Sequence, residues 1–247
     1  MRLNDGPLVS NKYKGSNSLI INLILRYLKN NYSKLISIAP SCIYKKPRFD
    51  WTFITINLRI EPWKTSIIDL RLSKLELFQN LKQKWRNTLK KGLNNCVIRE
   101  IKDINTFKTI MKEYRNYSIE LGFKAISETK CMRWFKNKIE LNGLVSLKIL
   151  QASMPNNPEK IFGSIGVLEF KKKSLYLFGF TNKLGKINQA NSALLWEAII
   201  TSKDNNFLEF DLGGINKTTP IGIRKFKESL NGISRDNSGE YFCIAIF

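Results

Sequence analysis

The sequence predicts a mixed α/β fold, in which helices cover both faces of a sheet that contains parallel and antiparallel strands. Three successive alternating apolar segments, separated by short polar turns, predict an antiparallel meander over residues 145–152, 161–170 and 174–180. Residues 190–230 then show helical, strand and helical periodicity in turn. A meander followed by alternating helices and strands is typical of a mixed sheet with helices on both sides.

The first 62 residues contain too few elements to build a core of their own. Apolar residues at helical spacing predict a helix over residues 18–31, and short apolar runs predict strands at 34–39 and 52–58. We therefore predict a partial N-terminal domain at residues 1–62 and a complete domain at residues 63–247.

The larger domain opens with a strand and a basic helix. Ser73 and Glu76 form a capping-box pattern, which predicts a helix that starts at residue 73 and continues to residue 91. The other elements of this domain follow from apolar periodicity and from capping residues. They are strands at 65–70, 97–101, 207–212 and 240–247, and helices at 103–120, 127–141, 190–203 and 220–230.

The composition of the 247-residue chain favours an anionic partner and excludes several kinds of active site. The formal net charge is +21 and the pI is near 9.9, which suits nucleic acid, phosphorylated ligands or anionic lipid. There is no histidine, so a Ser-His-Asp triad, a Cys-His pair and a histidine-metal site are excluded. Five basic residues also fall within ten positions that contain no acid. They are Lys82, Lys84, Arg86, Lys90 and Lys91.

Cysteine spacing and hydropathy bear on the compartment. The four cysteines lie far apart with no C-x-x-C pair, which predicts reduced thiols and neither a zinc nor a redox site. The longest apolar run, residues 19–28, is interrupted by Asn22 and Arg26 and is too short to span a bilayer. No signal-peptide pattern opens the chain. The sequence therefore predicts a soluble, cytoplasmic protein.

The stretch from residue 207 to 227 combines a strand, a glycine turn and a helix. An alternating apolar run ends at Asp211, the pair Gly213-Gly214 follows, and an amphipathic segment ends at Lys227. Ligand crevices of open α/β sheets form where strands end in such turns. We therefore predict that this stretch lines a binding cleft.

Five short motifs occur in one order along the chain. They are GPL at 6–8, KWRN at 84–87, LLWEA at 194–198, FDLGG at 210–214 and FK at 226–227. As an ordered set they resemble the FemABX family of peptidoglycan aminoacyltransferases, and the order of elements resembles the GNAT acyltransferase fold. The resemblance covers nearly the whole chain, although residues 1–60 match only the last part of the family's first domain.

The resemblance implies two GNAT-like domains, of which the first is truncated here. It implies transfer of an amino acid from aminoacyl-tRNA to an amine of the stem peptide of a UDP-linked or lipid-linked peptidoglycan precursor, the reaction of cell-wall bridge formation. It implies no metal and no tightly held cofactor. The positive charge adds peripheral contact with an anionic membrane to the expected interactions, and the oligomeric state is left open.

Two charged residues and the glycine pair are the candidates for chemistry at the turn. In the family, the lysine of the FK motif is thought to stabilise the tetrahedral oxyanion, which implies this role for Lys227; without the resemblance, it reads as part of a solvated helix face. Asp211 either orients a substrate amine or holds Lys227, or it bonds backbone amides of the turn. Gly213 and Gly214 are expected to contact substrate and to allow positive φ or close backbone approach.

Four further side chains are candidate substrate-binding residues. Arg86 suits bidentate phosphate binding, and its neighbour Trp85 is expected in the core. Phe226 belongs to the FK motif. Tyr176 and Phe180 have even spacing on one predicted strand, so we expect them to share a face and to line the cleft.

The segment before the helix at 190–203 argues against coenzyme A as the acyl donor. Enzymes of the GNAT fold that use coenzyme A carry Q/R-x-x-G-x-G/A there, and its backbone amides cradle the diphosphate. Here the positions hold Asn188, Gln189, Ala190 and Asn191, with no G-x-G. Two other functions remain open: an acetyl-CoA-type N-acyltransferase on another amine, and a non-catalytic RNA-binding remnant.

Overall fold

The computed structural model describes residues 2–3, 17–32, 34–38, 48–57, 63–138, 145–236 and 241–246. The chain forms two units. The first comprises Met1–Thr65, Gly214–Thr219 and Ser234–Phe247, and the second comprises Ser66–Gly213 and Pro220–Ile233. The GPL motif at residues 6–8 lies outside the described residues.

The strands and helices follow the predicted order, with the additional short elements β1, α6 and β10. The strands are β1 (Arg2–Leu3), β2 (Leu35–Ile38), β3 (Phe53–Asn57), β4 (Lys64–Asp69), β5 (Val97–Ile101), β6 (Val145–Met154), β7 (Asn157–Phe170), β8 (Lys173–Thr181), β9 (Glu209–Gly214), β10 (Ile233–Asp236) and β11 (Tyr241–Ala245). The helices are α1 (Asn17–Asn31), α2 (Lys74–Asn80), α3 (Gln83–Asn95), α4 (Ile104–Glu120), α5 (Glu128–Lys136), α6 (Lys183–Ile187), α7 (Ala190–Asp204) and α8 (Ile221–Glu228).

A seven-stranded sheet has the order β10-β4-β9-β8-β7-β6-β5, and its strands from β5 to β8 lie wholly in the second unit. The ladders from β5 through β8 are antiparallel, as predicted for the meander. β8 and β9 run parallel, because α7 carries the chain from the end of one to the start of the other. The predicted fold class, a mixed sheet with helices on both faces, is confirmed.

Side chains on the two faces of this sheet form separate hydrophobic cores. Successive strand residues point to opposite faces, and Ile149 and Leu150 of β6 accordingly belong to different clusters. One core lies under α2, α3 and α7 and contains Leu89. The other lies under α4 and α5, where the rings of Phe107 and Phe135 stack at 4.5 Å.

The helix predicted at 73–91 is two helices, α2 and α3. Its predicted start is confirmed: the Glu76 N–H donates to Ser73 Oγ at 3.2 Å, and the Ser73 N–H donates to Glu76 Oε2 at 2.7 Å. The backbone becomes extended at Leu81 and Lys82. The sequence did not show this interruption, because the four-residue apolar spacing continues across it.

The first unit contains a four-stranded sheet of order β1-β2-β11-β3. β11 is antiparallel to both of its neighbours, with Cys243 opposite Ile36 on one side and Thr55 on the other. Ile21 and Leu25 of α1 pack in the same core as Ile36 and Cys243. The described part of this unit therefore has its own hydrophobic core.

The last strand was predicted to complete the larger domain at 63–247, and this is wrong. β11 pairs with β2 and β3 and buries Tyr241, Cys243 and Ala245 in the core of the first unit. Its backbone bonds are therefore satisfied by strands that lie about 200 residues earlier in the chain. The first unit thus draws on residues beyond the predicted boundary at residue 62.

Candidate active site

The seven-stranded sheet opens between its two parallel strands. β8 and β9 pair over three positions, from Lys173 opposite Glu209 to Leu175 opposite Asp211. Both strands continue beyond the last pair toward their carboxyl ends. A gap at the carboxyl ends of parallel strands is a common place for a ligand crevice.

A β-bulge in β8 decides which side chains face this opening. The register of the β7–β8 ladder shifts next to Val167, which lies opposite Tyr176, and Leu177 is the extra residue. Tyr176 packs with the core under α3 and α7, whereas Phe180 belongs to the core under α4 and α5. The prediction that Tyr176 and Phe180 share a face is therefore wrong, because an extra residue reverses the alternation of the residues that follow it.

Asp211 and Gly213 shape the turn at the end of β9. Gly213 has a φ of 73°, in the left-handed region that glycine adopts without steric cost. Its N–H donates to Asp211 Oδ1 at 2.7 Å. Asp211 therefore serves as a turn carboxylate, which is one of its predicted roles, and Gly213 has the positive φ that was predicted.

Lys227 is a buried cation beside this turn. It lies on α8 and is 7% exposed. Its Nζ lies 5.6 Å from the centre of the Tyr176 ring, within cation–π range. The same Nζ lies 3.4 Å from the position that a Cβ on Gly213 would occupy. The opening between β8 and β9 thus has an amine at its side, and a Cβ at position 213 would lie in contact with that amine.

Burial lowers the pKa of Lys227 to about 8, because a protein interior disfavours the charged form. The negative charge of Asp211 acts in the opposite direction and is the smaller cause. The amine is therefore mostly protonated at pH 7 and titrates close to that pH. Because Lys225 on the same helix is exposed while Lys227 is buried, the solvated-face interpretation does not describe Lys227.

Aromatic packing holds α8 against α3. Trp85 is 3% exposed, as predicted for a core residue. Its ring centre lies 5.9 Å from that of Phe226 and 6.5 Å from that of Trp196. Phe226 therefore anchors the helix that carries Lys227, and its contact with substrate stays a prediction.

Arg86 lies on α3 with its guanidinium directed at the end of α2. Nη1 donates to the carbonyl oxygens of Gln79 at 2.7 Å and Leu81 at 2.8 Å, and Nη2 donates to Gln83 Oε1 at 2.5 Å. Three of the five N–H donors of the side chain therefore serve local structure. A role as phosphate ligand stays a prediction that depends on the other two.

Gly214 falls in the first unit. A Cβ at this position would overlap the Trp63 indole. The residue therefore permits close approach of a ring to the backbone, one of the two reasons predicted for the glycine pair. Its contact with substrate, like that of Gly213, Tyr176 and Phe180, stays a prediction.

A second buried lysine was missed by the sequence analysis. Lys148 of β6 and Glu169 of β7 are each 4% exposed, and their Nζ and Oε1 atoms lie 3.2 Å apart. Lys138 Nζ contacts the other carboxylate oxygen of Glu169 at 2.7 Å. A lysine and a glutamate that are each flanked by apolar residues on neighbouring strands are the sequence signal that could have revealed this ion pair.

The remaining chemistry of the described residues is limited. Burial raises the pKa of the Cys96 and Cys243 thiols to about 11, so both are protonated and poorly nucleophilic at neutral pH. Across the described ranges, no three His, Cys, Asp or Glu side chains come together in a way that could bind a metal ion. No helix in the same ranges has both the length and the apolarity to cross a bilayer.

Comparison with known proteins bears on the fold. No family model and no curated protein sequence matches this chain. The crystal structure of FemX is similar, with a TM-score of 0.74 at 12% identity, over 98% of this chain and 79% of FemX. The C-terminal domain of a protein from Agrobacterium fabrum, described as a lysylphosphatidylglycerol synthetase, has a TM-score of 0.59 at 9% identity, over 100% of this chain and 78% of that one.

L-PGS from Bacillus licheniformis is a third similar structure, with a TM-score of 0.55 at 11% identity, over 99% of this chain and 77% of that one. At such identities the likeness is one of fold. It extends over nearly the whole of this chain and over more than three quarters of each of the three structures. The chain therefore has a GNAT-like fold of the kind found in FemX.

Proposed function

We propose that this chain is a cytoplasmic aminoacyltransferase of peptidoglycan bridge formation. It moves an amino acid from aminoacyl-tRNA to an amine of the stem peptide of a UDP-linked or lipid-linked precursor. The observation that carries this proposal is Lys227, a buried amine at the point where β8 and β9 separate. The ordered FemABX-like motifs and the FemX-like fold support the choice of donor and acceptor.

The reaction exchanges an ester bond for an amide bond. The acceptor amine attacks the ester carbonyl, a tetrahedral oxyanion forms, and the ribose hydroxyl leaves as the amine loses a proton. The ester is already activated, so the main demand on the protein is stabilisation of the oxyanion. One preorganised donor in a site removed from water contributes about 3–4 kcal/mol to this step. We assign that donor to the ammonium group of Lys227.

Asp211 supports this assignment by favouring the charged form of Lys227. Its negative charge raises the pKa of Lys227 against the effect of burial. The carboxylate is itself fixed by the N–H of Gly213 at 2.7 Å. We therefore assign Asp211 to positioning and charge balance, and the oxyanion contact to the lysine.

Packing at the start of α7 supports a tRNA ester over coenzyme A as the donor. The carbonyl oxygen of Gln189 lies 2.7 Å from the position that a Cβ on Gly92 of α3 would occupy. α3 therefore fills the space beside the segment in which a diphosphate cradle would lie. The same segment has no G-x-G, so both sequence and packing favour the same donor.

The proposal is tested by incubating the protein with mixed charged tRNAs and a UDP-linked precursor, with mass spectrometry of the products. We expect a precursor that is heavier by an amino acid residue. Lys227→Ala should lower the rate of product formation about 100- to 1000-fold. Lys225→Ala is the matched control, because Lys225 lies on the same helix and is exposed.

Three results would contradict the proposal. Full activity of Lys227→Ala, with its circular dichroism unchanged, would remove the assigned mechanism. Acetylated product from a parallel reaction with acetyl-CoA, and none from charged tRNA, would identify an N-acetyltransferase. Salt-sensitive tRNA binding without transfer from either donor would identify a non-catalytic RNA-binding protein.

A further inference from the structure

One surface of the second unit combines lysines with exposed aliphatic side chains. Gly92 lies against the carbonyl of Gln189, and Cys96 Sγ donates to the carbonyl of Asn188 at 3.7 Å. The end of α3 therefore runs alongside the segment that follows α6. We call this region the α3–α6 surface, and define it by Lys90, Leu93, Lys183, Leu184, Lys186 and Ile187.

The aliphatic side chains of this surface are exposed. Leu93 is 45% exposed, Leu184 is 38% exposed and Ile187 is 61% exposed. All three come from two short stretches of chain, which contact each other through Gly92 and Gln189 and through Cys96 and Asn188. Contiguous exposed apolar groups bordered by polar residues mark interaction sites on soluble proteins.

The charge of the α3–α6 surface has one sign. Lys90, Lys183 and Lys186 are exposed. The segments that build the surface, residues 82–99 and 170–196, contain no aspartate and no glutamate. Within these two segments the exposed leucines and isoleucine are therefore interleaved with positive charge only, and the exposed acid Glu159 belongs to β7, which contacts the start of α6.

We propose that the α3–α6 surface binds the anionic face of a lipid bilayer. Lysines near a bilayer are attracted by acidic headgroups, and aliphatic side chains between them enter the boundary between headgroups and acyl chains. A surface for single-stranded RNA would instead present aromatic rings or arginines on which bases stack. The six residues that define the surface include neither, and the exposed arginine of the same segment, Arg99, lies beyond α3 on β5.

The α3–α6 surface and the opening beside Lys227 lie at the same end of the sheet. α6 begins two residues after β8 ends at Thr181, and β9, parallel to β8, ends in the turn at Gly213. A bilayer held at this end would bring a lipid-linked acceptor to the side on which Lys227 lies. That consequence rests on the proposed function, whereas membrane binding itself does not.

The test is co-sedimentation of the full chain with phosphatidylcholine vesicles, with and without phosphatidylglycerol. We expect binding to the anionic vesicles only, weakened by added salt. Lys90→Glu/Lys186→Glu should weaken it by at least about 100-fold, since each unit of charge contributes about fivefold and the two reversals change the charge by four units. Leu93→Ser/Ile187→Ser should weaken it about tenfold, and this loss should persist at high salt.

Matched controls lie on α4, which packs on the other face of the sheet. Lys108→Glu/Lys112→Glu makes the same change of net charge, and Ile119→Ser removes an aliphatic side chain that is 70% exposed. Both controls should keep at least a third of wild-type vesicle binding. Thermal melts of all variants check that their folds are intact.

Three outcomes would overturn the proposal. They are no binding of the wild type to anionic vesicles, equal losses in the α4 controls, and an α3–α6 double variant that loses tRNA binding while it keeps vesicle binding. The last would assign the surface to RNA. Lys227→Ala should bind vesicles as the wild type does, so failure of the proposed catalysis and failure of membrane binding are read out separately.

Discussion

Lys148 and Lys227 are both buried in the second unit, but their surroundings differ. Lys148, 4% exposed, has the equally buried Glu169 at 3.2 Å, and Lys138 contacts the second oxygen of that carboxylate. Lys227, 7% exposed, lies over a tyrosine ring, and burial lowers its pKa to about 8 despite the charge of Asp211. The first is held as a close ion pair, and the second titrates close to neutral pH.

Under the proposed function, the difference separates a structural use of a buried lysine from a catalytic one. A close ion pair inside a fold becomes costly when one partner is removed, because the other charge is left buried. A lysine whose pKa is lowered by burial is already destabilising while it is charged. Groups of the second kind concentrate at functional sites, where their proton affinity suits the chemistry.

The largest expected effect is the loss of stability in Lys148→Met. Glu169 would lose its ion pair with Lys148 and keep its contact with Lys138, so the free energy of unfolding should fall by about 3 kcal/mol at pH 7. Urea denaturation measures this change. Lys160→Met, at an exposed position of β7, is the control and should change little. A loss below about 1 kcal/mol in Lys148→Met would mean that the ion pair contributes no more to stability than a surface salt bridge does.

The same substitution at Lys227 should have the opposite sign. The folded pKa of Lys227 is about 8 against an ordinary value of 10.5. Below pH 8 the folded protein therefore bears the full cost of a buried charge, and Lys227→Met should be more stable by about 1–3 kcal/mol.

This advantage should disappear as the pH rises. Between pH 8 and 10.5 the unfolded state binds a proton at Lys227 that the folded state does not, so the stability of the wild type increases with pH there. Urea denaturation of both proteins at several pH values should show the difference shrinking across this window. If the difference in unfolding free energy between the two proteins stayed constant with pH, Lys227 would not titrate in the folded protein. The contrast between Lys227 and Lys148 would then be wrong.

The pH dependence of catalysis should distinguish the charged from the neutral form of Lys227. If the ammonium group stabilises the oxyanion, kcat/KM should fall about tenfold per pH unit above pH 8, which is about 1.4 kcal/mol per unit. Lys227→Arg stays charged and should show no such fall. The acceptor amine titrates equally with both enzymes, so the ratio of their kcat/KM values removes its contribution to the pH dependence. A rate that rises through pH 8 in the wild type alone would instead indicate a neutral lysine acting as a base.

The smallest expected effect is that of Asp211→Asn. The amide oxygen can still accept the Gly213 N–H, but the charge that raises the pKa of Lys227 is lost. The alkaline fall in kcat/KM should move to lower pH by less than about one unit, an effect below about 1.4 kcal/mol. Asp204→Asn is the exposed control. An unchanged pH profile in Asp211→Asn would show that the carboxylate acts only in the turn.

Features that depend on neighbouring residues could be predicted from the sequence. The capping box of Ser73 and Glu76 is a local exchange of hydrogen bonds, and it is present. The strand, turn and helix around Asp211 and Gly213 follow from apolar alternation and from glycine, which are also local. The burial of Trp85 follows from its position on the apolar side of an amphipathic helix.

Features that depend on distant partners could not be predicted in this way. The prediction for β8 assumed strict alternation of its side chains between the two faces. The bulge at Leu177 appears only in the pairing of β8 with β7, and it puts Phe180 on the face opposite to the predicted one. The guanidinium of Arg86 donates to carbonyl oxygens at the end of α2. The apolar spacing did not show that α2 and α3, the helix that carries Arg86, are separate. The burial of Lys227 is set by the packing of Phe226 on α3, which no local pattern contains.

The position of β11 has a consequence for how the chain folds as it is synthesised. Ile244 lies opposite Leu35, and Cys243 lies opposite Thr55, so strands from early in the chain flank one made more than 180 residues later. On the ribosome, β2 and β3 emerge first, and the edges that they present to β11 have no partner strand until residues 241–245 follow. Long-range pairing of this kind is slow and prone to aggregation. The early strands of this protein are therefore expected to be clients of ribosome-associated chaperones during translation.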